Sequence, residues 1–516
     1  MTFTRPSSSR AVVPRGVAYR ERRTFLILLA LYGVIVFPIL RADEYYNDDI
    51  KRALFGRASW DSNGRPLTTF LMRAMQAYDH AMVDISPLTQ IGAVAVLAWA
   101  GALIARRFAI RSPWTAALAT LPLGAQPFYL GNLSFKFDAL SMSLAILLAL
   151  VPVVLDQHTV RRWWLGVLAL FASLNFYQPA IDVYLVFAFM EIVHAQIEDA
   201  PPRALARMAL SRFLQILVTM AAYEVTVGIH ISGWVRKAAT PIHAGQWRQL
   251  YLNYLDFYRF VGTSLDAHWW VAYAPILLLL GLTPVVVGLR YAARQRAQNS
   301  SLAVAMWTAI ALLVPAIASV LALGPMLVLA APEITPRVLM GIGALLVMSL
   351  VIMRASFEKW GRSPRWFGVA ACTLALGMAS LASAYGNALN EQRLYEARIG
   401  ARLADDLAQL KASRGIDSLL IEGSDGYAPV TAHVIGQIPL VRSLITPYIA
   451  GWAAFQTDSF LDLYVQGITD LSAQADPASL QAHQRLLARL GHTGPVVTTS
   501  TYRLYVIDRT AVLRFD

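Results

Sequence analysis

A single cysteine in 516 residues, Cys372 inside an apolar segment, excludes disulfides and a cysteine-held metal site. Charge is scarce as well. Asp, Glu, Lys and Arg make up 15% of the chain, where a soluble protein would carry about a quarter. The nine histidines show no H-E-x-x-H or paired spacing, so none is assigned to a metal. No Gly-rich phosphate loop occurs, "EGSDG" lacks the spacing of a nucleophile elbow, and no internal repeat is visible. What fills the chain is apolar: 57% hydrophobic residues and a mean hydropathy of +0.49. Runs long enough to cross a bilayer, roughly 20 residues each, recur along it. These features define a polytopic, all-α membrane protein. The net charge of +12 resides in short loops between spans, as orientation signals do, and calls for no nucleic acid.

Residues 1–23 are a basic N-terminus ahead of an apolar run at 24–40, too long for a signal peptide and without a small-x-small cleavage site. Further spans fall near 88–105, 113–130, 138–155, 163–177, 180–194, 211–232, 271–289, 303–322, 337–353 and 366–384, about eleven in all. Arg106, Arg107 and Arg111 follow the second span, Arg161 and Arg162 the fourth, and Arg203 and Arg207 the sixth. Arg290, Arg294 and Arg296 follow the eighth, and Arg354, Lys359, Arg362 and Arg365 the tenth. Every group lies on the side of the N-terminus, which the positive-inside rule makes the cytoplasm of an inner membrane. The first outer loop, 41–87, the long loop 233–270 and residues 385–516 then face the periplasm. Arg236, Lys237, Arg248 and Arg259 break the rule, but long loops translocate largely regardless of charge.

The transmembrane domain is thus 24–384, and 385–516 reads as a separate soluble α/β domain. Tyr395, Ile399, Leu403, Leu407 and Leu410 recur at helical spacing, "IDSLLIEG" reads as a strand, and "YRLYVIDRTAVLRF" as a hairpin turning near Asp508.

The first outer loop carries "YYNDDIKRALFGRASWDSNGRP", with adjacent carboxylates Asp48 and Asp49 close to the bilayer. An ordinary solvated loop, with Asp48 paired to Arg52 at i,i+4, is the plain alternative. It explains less well why the loop is so rich in aromatics and glycine, and carboxylates held at a membrane boundary commonly serve function. One carboxylate can take a proton from a hydroxyl attacking carbon, and a second can bind a divalent cation or steady an oxocarbenium-like sugar. A leaving phosphate needs cations, for which Arg52, Arg65, Lys136 and Arg337 are placed at the outer face. Together these residues describe glycosyl transfer from a lipid phosphate.

The stretch "YYNDDIKRALFGRASWDSNGRPL" resembles the signature of the Gtr-type bacterial glucosyltransferases, serotype-converting modifiers of O-antigen with the GT-C membrane fold. "QPFYLGNLSFKFDALSMSLA", "NFYQPAIDVYLV" and "TPRVLMG" agree with that pattern in order. The resemblance implies a hexose, commonly glucose, moved from a polyprenyl-phosphate donor to a lipid-linked or growing polysaccharide of the lipopolysaccharide type, with inversion. It maps the catalytic carboxylates onto Asp48 and Asp49. An additional acidic pair, Asp43 and Glu44, stands just upstream and leaves open which carboxylate is the base. The sequence names no certain cofactor and leaves metal dependence open; if a divalent cation (Mg or Mn) takes part, Asp48 and Asp49 would hold it.

Candidate substrate-binding residues are Tyr46, Trp60, Asp138, Tyr177, Gln178 and Asp182. Lys136 reads equally well as a lysine snorkelling at a helix end, and Tyr177-Gln178 as a plain turn. Asp182 enters an apolar span, where a carboxylate costs about 2.5–3.5 kcal/mol, which favours a cavity. Trp247, Tyr251, Tyr254 and Tyr258 lay an aromatic stripe on one face of a helix at the interface. A flippase of lipid-linked sugars is the competing class, and it would place polar residues near mid-membrane in repeated halves. A ligase or acyltransferase, centred on His or Arg motifs in outer loops, fits less well.

Overall fold

With no water to satisfy its amides and carbonyls, an apolar run in a bilayer must close its hydrogen bonds internally, as a helix. In the computed structural model α1 (Arg15–Ala42) does so and is followed by the short outer helices α2 (Asp49–Phe55) and α3 (Pro66–Gln76). The structure describes residues 15–515 apart from 78–80, 156–158, 232, 244, 298–299, 452–453, 466, 473–476 and 492; Arg5 and Arg10 of the basic N-terminus lie outside the described residues. After α4 (Leu88–Arg107), the expected span at 113–130 breaks into α5 (Pro113–Thr120), α6 (Pro122–Ala125) and α7 (Leu130–Ser134). Pro122 and Pro127 sit at the breaks and supply no amide hydrogen. Next come α8 (Ala139–Val154), α9 (Val160–Phe176), α10 (Ile181–Ala195), α11 (Pro202–Thr226), α12 (Gly233–Ala238) and α13 (Trp247–Thr263). The series ends with α14 (Ala267–Arg294), α15 (Ser301–Leu321), α16 (Met340–Lys359) and α17 (Arg365–Arg414).

Eight described helices are long and apolar enough to cross a membrane, fewer than the eleven expected. The shortfall is the broken 113–130 segment, α8 with 16 residues and α9 with 17. The bundle packs α4 between α1 and α8, α1 against α17, and α10 against α16. Where α1 meets α17, a Cβ on Gly386 would fall 2.4 Å from Pro38, so only glycine permits that approach.

The basic loops gather at one end. Asp199 joins Arg294 at 2.6 Å and Lys359 at 3.6 Å, Arg290 lies 4.0 Å over the Trp360 ring, and Arg106 meets Glu21 at 3.5 Å. Near that end Glu191 of α10 is buried between Arg107 (2.6 Å) and Arg212 (2.7 Å). The same arginines donate to the last carbonyls of α8: Arg212 to Pro152 at 2.7 Å and Arg107 to Val153 at 2.9 Å. One carboxylate therefore ties four helices together.

The aromatic stripe of α13 divides. Trp247 and Tyr251 are exposed, whereas the Tyr254 hydroxyl meets Ser319 Oγ at 3.0 Å and the Tyr258 hydroxyl donates to the Ser319 carbonyl at 2.9 Å.

α17 runs on without a break through the expected domain boundary at 385, over 50 residues or about 75 Å. Its far half carries the C-terminal sheet, whose strands are β1 (Ser418–Glu422), β2 (Thr469–Asp470), β3 (Val497–Thr498), β4 (Tyr502–Ile507) and β5 (Thr510–Phe515). Their order is β2-β1-β5-β4-β3, with β1 parallel to both neighbours and β4–β5 an antiparallel hairpin turning at Asp508 (φ 54°). α18 (Pro429–Gln437), α19 (Leu440–Leu444), α20 (Ala454–Leu461) and α21 (Pro477–Leu490) complete the domain. Ile399, Leu403, Leu407 and Leu410 pack into one core with Leu419, Leu504 and Leu513. Ile50 and Tyr45 of the first loop join that core.

Replacing Glu191 with Ala strands the buried Arg212 and should cost about 3–5 kcal/mol, read as a lowered thermal midpoint of the detergent-solubilised protein.

Candidate active site

Asp48 and Asp49 begin α2, where successive residues point about 100° apart, so they are exposed to different degrees. Asp49 is fully buried. Its carboxylate accepts from the Lys136 amide at 2.7 Å and the Phe137 amide at 3.4 Å, which joins α2 to the turn before α8. Burial pushes its pKa up to about 8; Arg52 and the two amides oppose the shift and Asp138 adds to it. Asp48 instead stands 41% exposed, and its side chain caps nothing although it occupies the N-cap position of α2.

Arg52 lies beneath the pair. The i,i+4 contact with Asp48 is present at 3.7 Å, but the nearest carboxylate is Asp138 at 3.0 Å, with Asp49 at 3.7 Å. The guanidinium lies 4.5 Å over the Trp60 ring, and Trp60 Nε1 donates to Asp138 at 2.6 Å. Arg52, Trp60 and Asp138 are all buried. They form an internal brace rather than a substrate-facing surface.

Arg65 is different. It is partly exposed, stacks 4.5 Å over Tyr177, and donates from Nε to Gln178 at 2.9 Å. No carboxylate among the described residues pairs with it. Burial lowers its pKa; the positive charges of Arg337 and Arg52 add to that, against Tyr177 and Asp138. The turn before it needs glycine twice over. Gly64 has φ 73°, and a Cβ there would lie 2.4 Å from the Tyr223 hydroxyl. That hydroxyl donates to the Gly64 carbonyl at 2.9 Å, and Gln178 Nε2 donates to the Asn63 carbonyl at 2.8 Å.

Arg337 is 31% exposed and meets Glu333 at 2.6 Å. Burial opposes its charge, but Tyr177, Glu333 and Asp48 together raise its pKa. Its carbonyl receives Asn132 Nδ2 at 3.1 Å and the Tyr177 hydroxyl at 3.3 Å. The structure therefore brings Asp48, Arg65, Tyr177, Gln178 and Arg337 into one electrostatic neighbourhood.

Lys136 turns the other way. Its ammonium meets Asp43 at 2.6 Å and Asp84 at 3.5 Å and lies 4.2 Å from the Tyr45 ring, so it is already neutralised. It lines a cavity of about 360 Å³ together with Asp43, Glu44, Gln90 and Ser134. Glu44 Oε2 is buried there without a hydrogen-bond partner. Tyr46 is buried edge-on against Phe135 at 4.8 Å. Asp182 is not brought to the cluster; it is buried against Gly324 with neither oxygen hydrogen-bonded. Asp84, Tyr223 and Tyr448, which grip this region, lack any local sequence signal because their partners are distant in the chain.

The oxygens of Asp49 face the Lys136 and Phe137 amides and Arg52, and Asp48 meets the same guanidinium. Among the described residues no group of three or more acidic, His or Cys side chains is arranged to hold a metal.

A family model described as glucosyl transferase GtrII matches residues 37–348. The chain is also 25% identical over 436 residues, 82% of its own length and 87% of the other's, to an uncharacterized 55.3 kDa protein in the gtrB 5′ region of Salmonella phage P22. No solved structure matches.

Two predictions concern Asp49. D49A strips the acceptor from two buried amides and should cost about 2–3 kcal/mol in thermal unfolding, whereas the neutral isostere D49N costs less. The folded chain holds the Asp49 proton more tightly than the unfolded chain, whose value is about 3.9. Its contribution is thus complete below that value and lost as pH rises through about 8. The midpoint of wild type should fall more steeply than that of D49N between about pH 4 and 8, and run parallel to it above that.

Proposed function

Since residues 37–348 are more than half of its length, the chain belongs to the glucosyl transferase GtrII family, and we propose that it transfers a hexose, glucose first among candidates, from a polyprenyl-phosphate donor to a lipid-linked or growing surface polysaccharide such as O-antigen. The observation that carries the proposal is the meeting of opposites at one place: a half-exposed carboxylate, Asp48, acts on Arg337, and Arg337 in turn acts on Arg65, a guanidinium that no carboxylate among the described residues pairs.

In this reading Arg65 and Arg337 hold the donor phosphate. Excess buried positive charge is relieved by a dianionic or monoanionic ligand, and guanidinium groups match phosphate oxygens in geometry. Tyr177 and Gln178 orient Arg65 through the ring and the Nε bond. Asp48 takes the proton of the acceptor hydroxyl as its oxygen attacks the anomeric carbon. The new C–O bond forms on one face while the bond to phosphate breaks on the other. The electron pair leaves with the lipid phosphate, and the anomeric configuration inverts. Arg52, Asp138, Trp60 and Asp49 hold α2 in place and touch neither substrate. The cavity beside Lys136 suits an uncharged saccharide unit of the acceptor. Its volume lies in the range of small-ligand pockets, about 300–1,000 Å³, and its lining mixes carboxylates, amide, hydroxyl and ammonium without net positive charge.

The reading sets the membrane orientation as well: basic loops in the cytoplasm, α2, α3 and the C-terminal domain in the periplasm, in a bacterial inner membrane. Gathering of Glu21, Arg106, Asp199, Arg294 and Lys359 at one end of the bundle supports it.

The deciding experiment incubates membranes with polyprenyl-phosphate glucose and the host's polysaccharide and analyses linkages in the product. D48N should lower transfer by about a thousandfold at normal protein level. R65A should raise the donor KM by about tenfold or more, with R65K recovering only part. Full transfer by D48N, or movement of labelled lipid between leaflets without a new glycosidic bond, defeats the assignment. In C372S cells, a cysteine at Ser62 should react with a membrane-impermeant maleimide from outside, and one at Ser363 should not.

A further inference from the structure

Residues 45–47 form the approach to Asp48, and they are held from the far end of the chain. The Tyr448 hydroxyl donates to the Tyr45 carbonyl at 3.0 Å and accepts from the Asn47 amide at 3.0 Å. One hydroxyl thus spans the turn in which Asn47 adopts the left-handed φ of 51°, a region asparagine enters more readily than most other non-glycine residues. Tyr448 is itself locked. Its amide donates to Glu396 of α17 at 3.0 Å, Thr457 of α20 donates to its carbonyl, and its ring packs 5.7 Å from Phe460. One residue beyond Asp49, Ile50 is buried in the hydrophobic core of the C-terminal domain with Ile399, Leu403 and Ile449.

We propose that the C-terminal domain is part of the transfer machinery, and that Tyr448 is a positioning residue that aims Asp48 by fixing the Tyr45–Asn47 turn. Asp48 has no capping bond of its own. Its direction is set by the backbone before it, through Tyr448, and by the two anchors after it, Asp49 in the membrane part and Ile50 in the tail. Misplacement of a reacting group by about 1 Å costs on the order of a hundredfold in rate, so a domain that touches no substrate governs turnover. The inference rests on Asp48 being the base.

Y448F removes both hydrogen bonds and keeps the ring. The control is Y502F, which removes a 2.6 Å bond to Asp406 within the same domain and leaves both hydrogen bonds to residues 45–47 intact. Y448F should lower kcat by about tenfold or more with the donor KM within about twofold, while Y502F keeps wild-type kcat. Hydrogen exchange in residues 45–52 should accelerate in Y448F by about tenfold and stay unchanged in Y502F. Wild-type kcat in Y448F, equal losses in both variants, or unaltered exchange overturns the inference. Should the wild-type protein transfer no hexose at all, the proposed function fails by itself, and exchange still decides whether Tyr448 fixes the loop. If Y448F does not fold, I50A is read by the same two measurements.

Discussion

A guanidinium removed from water costs several kcal/mol unless carboxylates surround it, and the outer face of this protein is assembled around one such group. Arg52 draws Asp48 and Asp49 from its own helix and Asp138 from the start of α8. Because Asp138 lies 86 residues downstream, the charge is satisfied only when the first outer loop has docked onto the membrane bundle. Asp49 completes the same joint by taking the amides on either side of the Lys136–Phe137 bond. Folding of the loop and formation of the site are therefore one event. The adjacency of the two aspartates also acquires a physical meaning. A helix start turns neighbours about 100° apart, so burying Asp49 obliges Asp48 to face outward.

Charge in this region separates by whether it is already answered. Arg52 and Lys136 have carboxylates within 3.0 Å and serve the architecture. Arg65 has none among the described residues, and Arg337 shares a single exposed glutamate, so the positive excess here falls on those two. The cavity beside Lys136 shows the reverse, with Asp43, Asp84 and Glu44 around a single ammonium. An anion would be repelled there and a polyol accommodated. In the proposed transfer the side of Arg65 and Arg337 would serve the charged donor, and the cavity the uncharged acceptor.

Much of this was readable in the sequence, and the failures have identifiable causes. Hydropathy located the long helices, and the clustering of arginines in alternate loops agrees with their meeting at one end. Window averages could not see that Pro122 and Pro127 break one expected span. Asp48, Arg65 and Arg337 stood out because charge near a membrane is costly, but sequence could not separate charges that pair from charges that do not. Arg52 and Lys136 read as phosphate ligands, and their pairing with Asp138 and Asp43 carries no mark in the sequence. Trp60 and Tyr46, read as substrate aromatics, are internal. The tail was legible as an α/β unit from its strand and hairpin patterns. Its fusion with the first loop was not, since a tyrosine some 400 residues away carries no local mark.

That fusion follows from size. A helix of seven residues such as α2 is far below the length of about 12–15 at which isolated helices become marginally stable, and the loop around it is too short to bury a core of its own. Its order has to be borrowed. The bundle supplies polar anchors to Asp49 and Arg52, and the C-terminal domain supplies an apolar one to Ile50. The continuous α17, unbroken from Arg365 to Arg414, joins these two lenders in one helix. The loop is thus held from both parts at once despite having little internal structure. Rigidity at that position is what preorganised proton transfer demands.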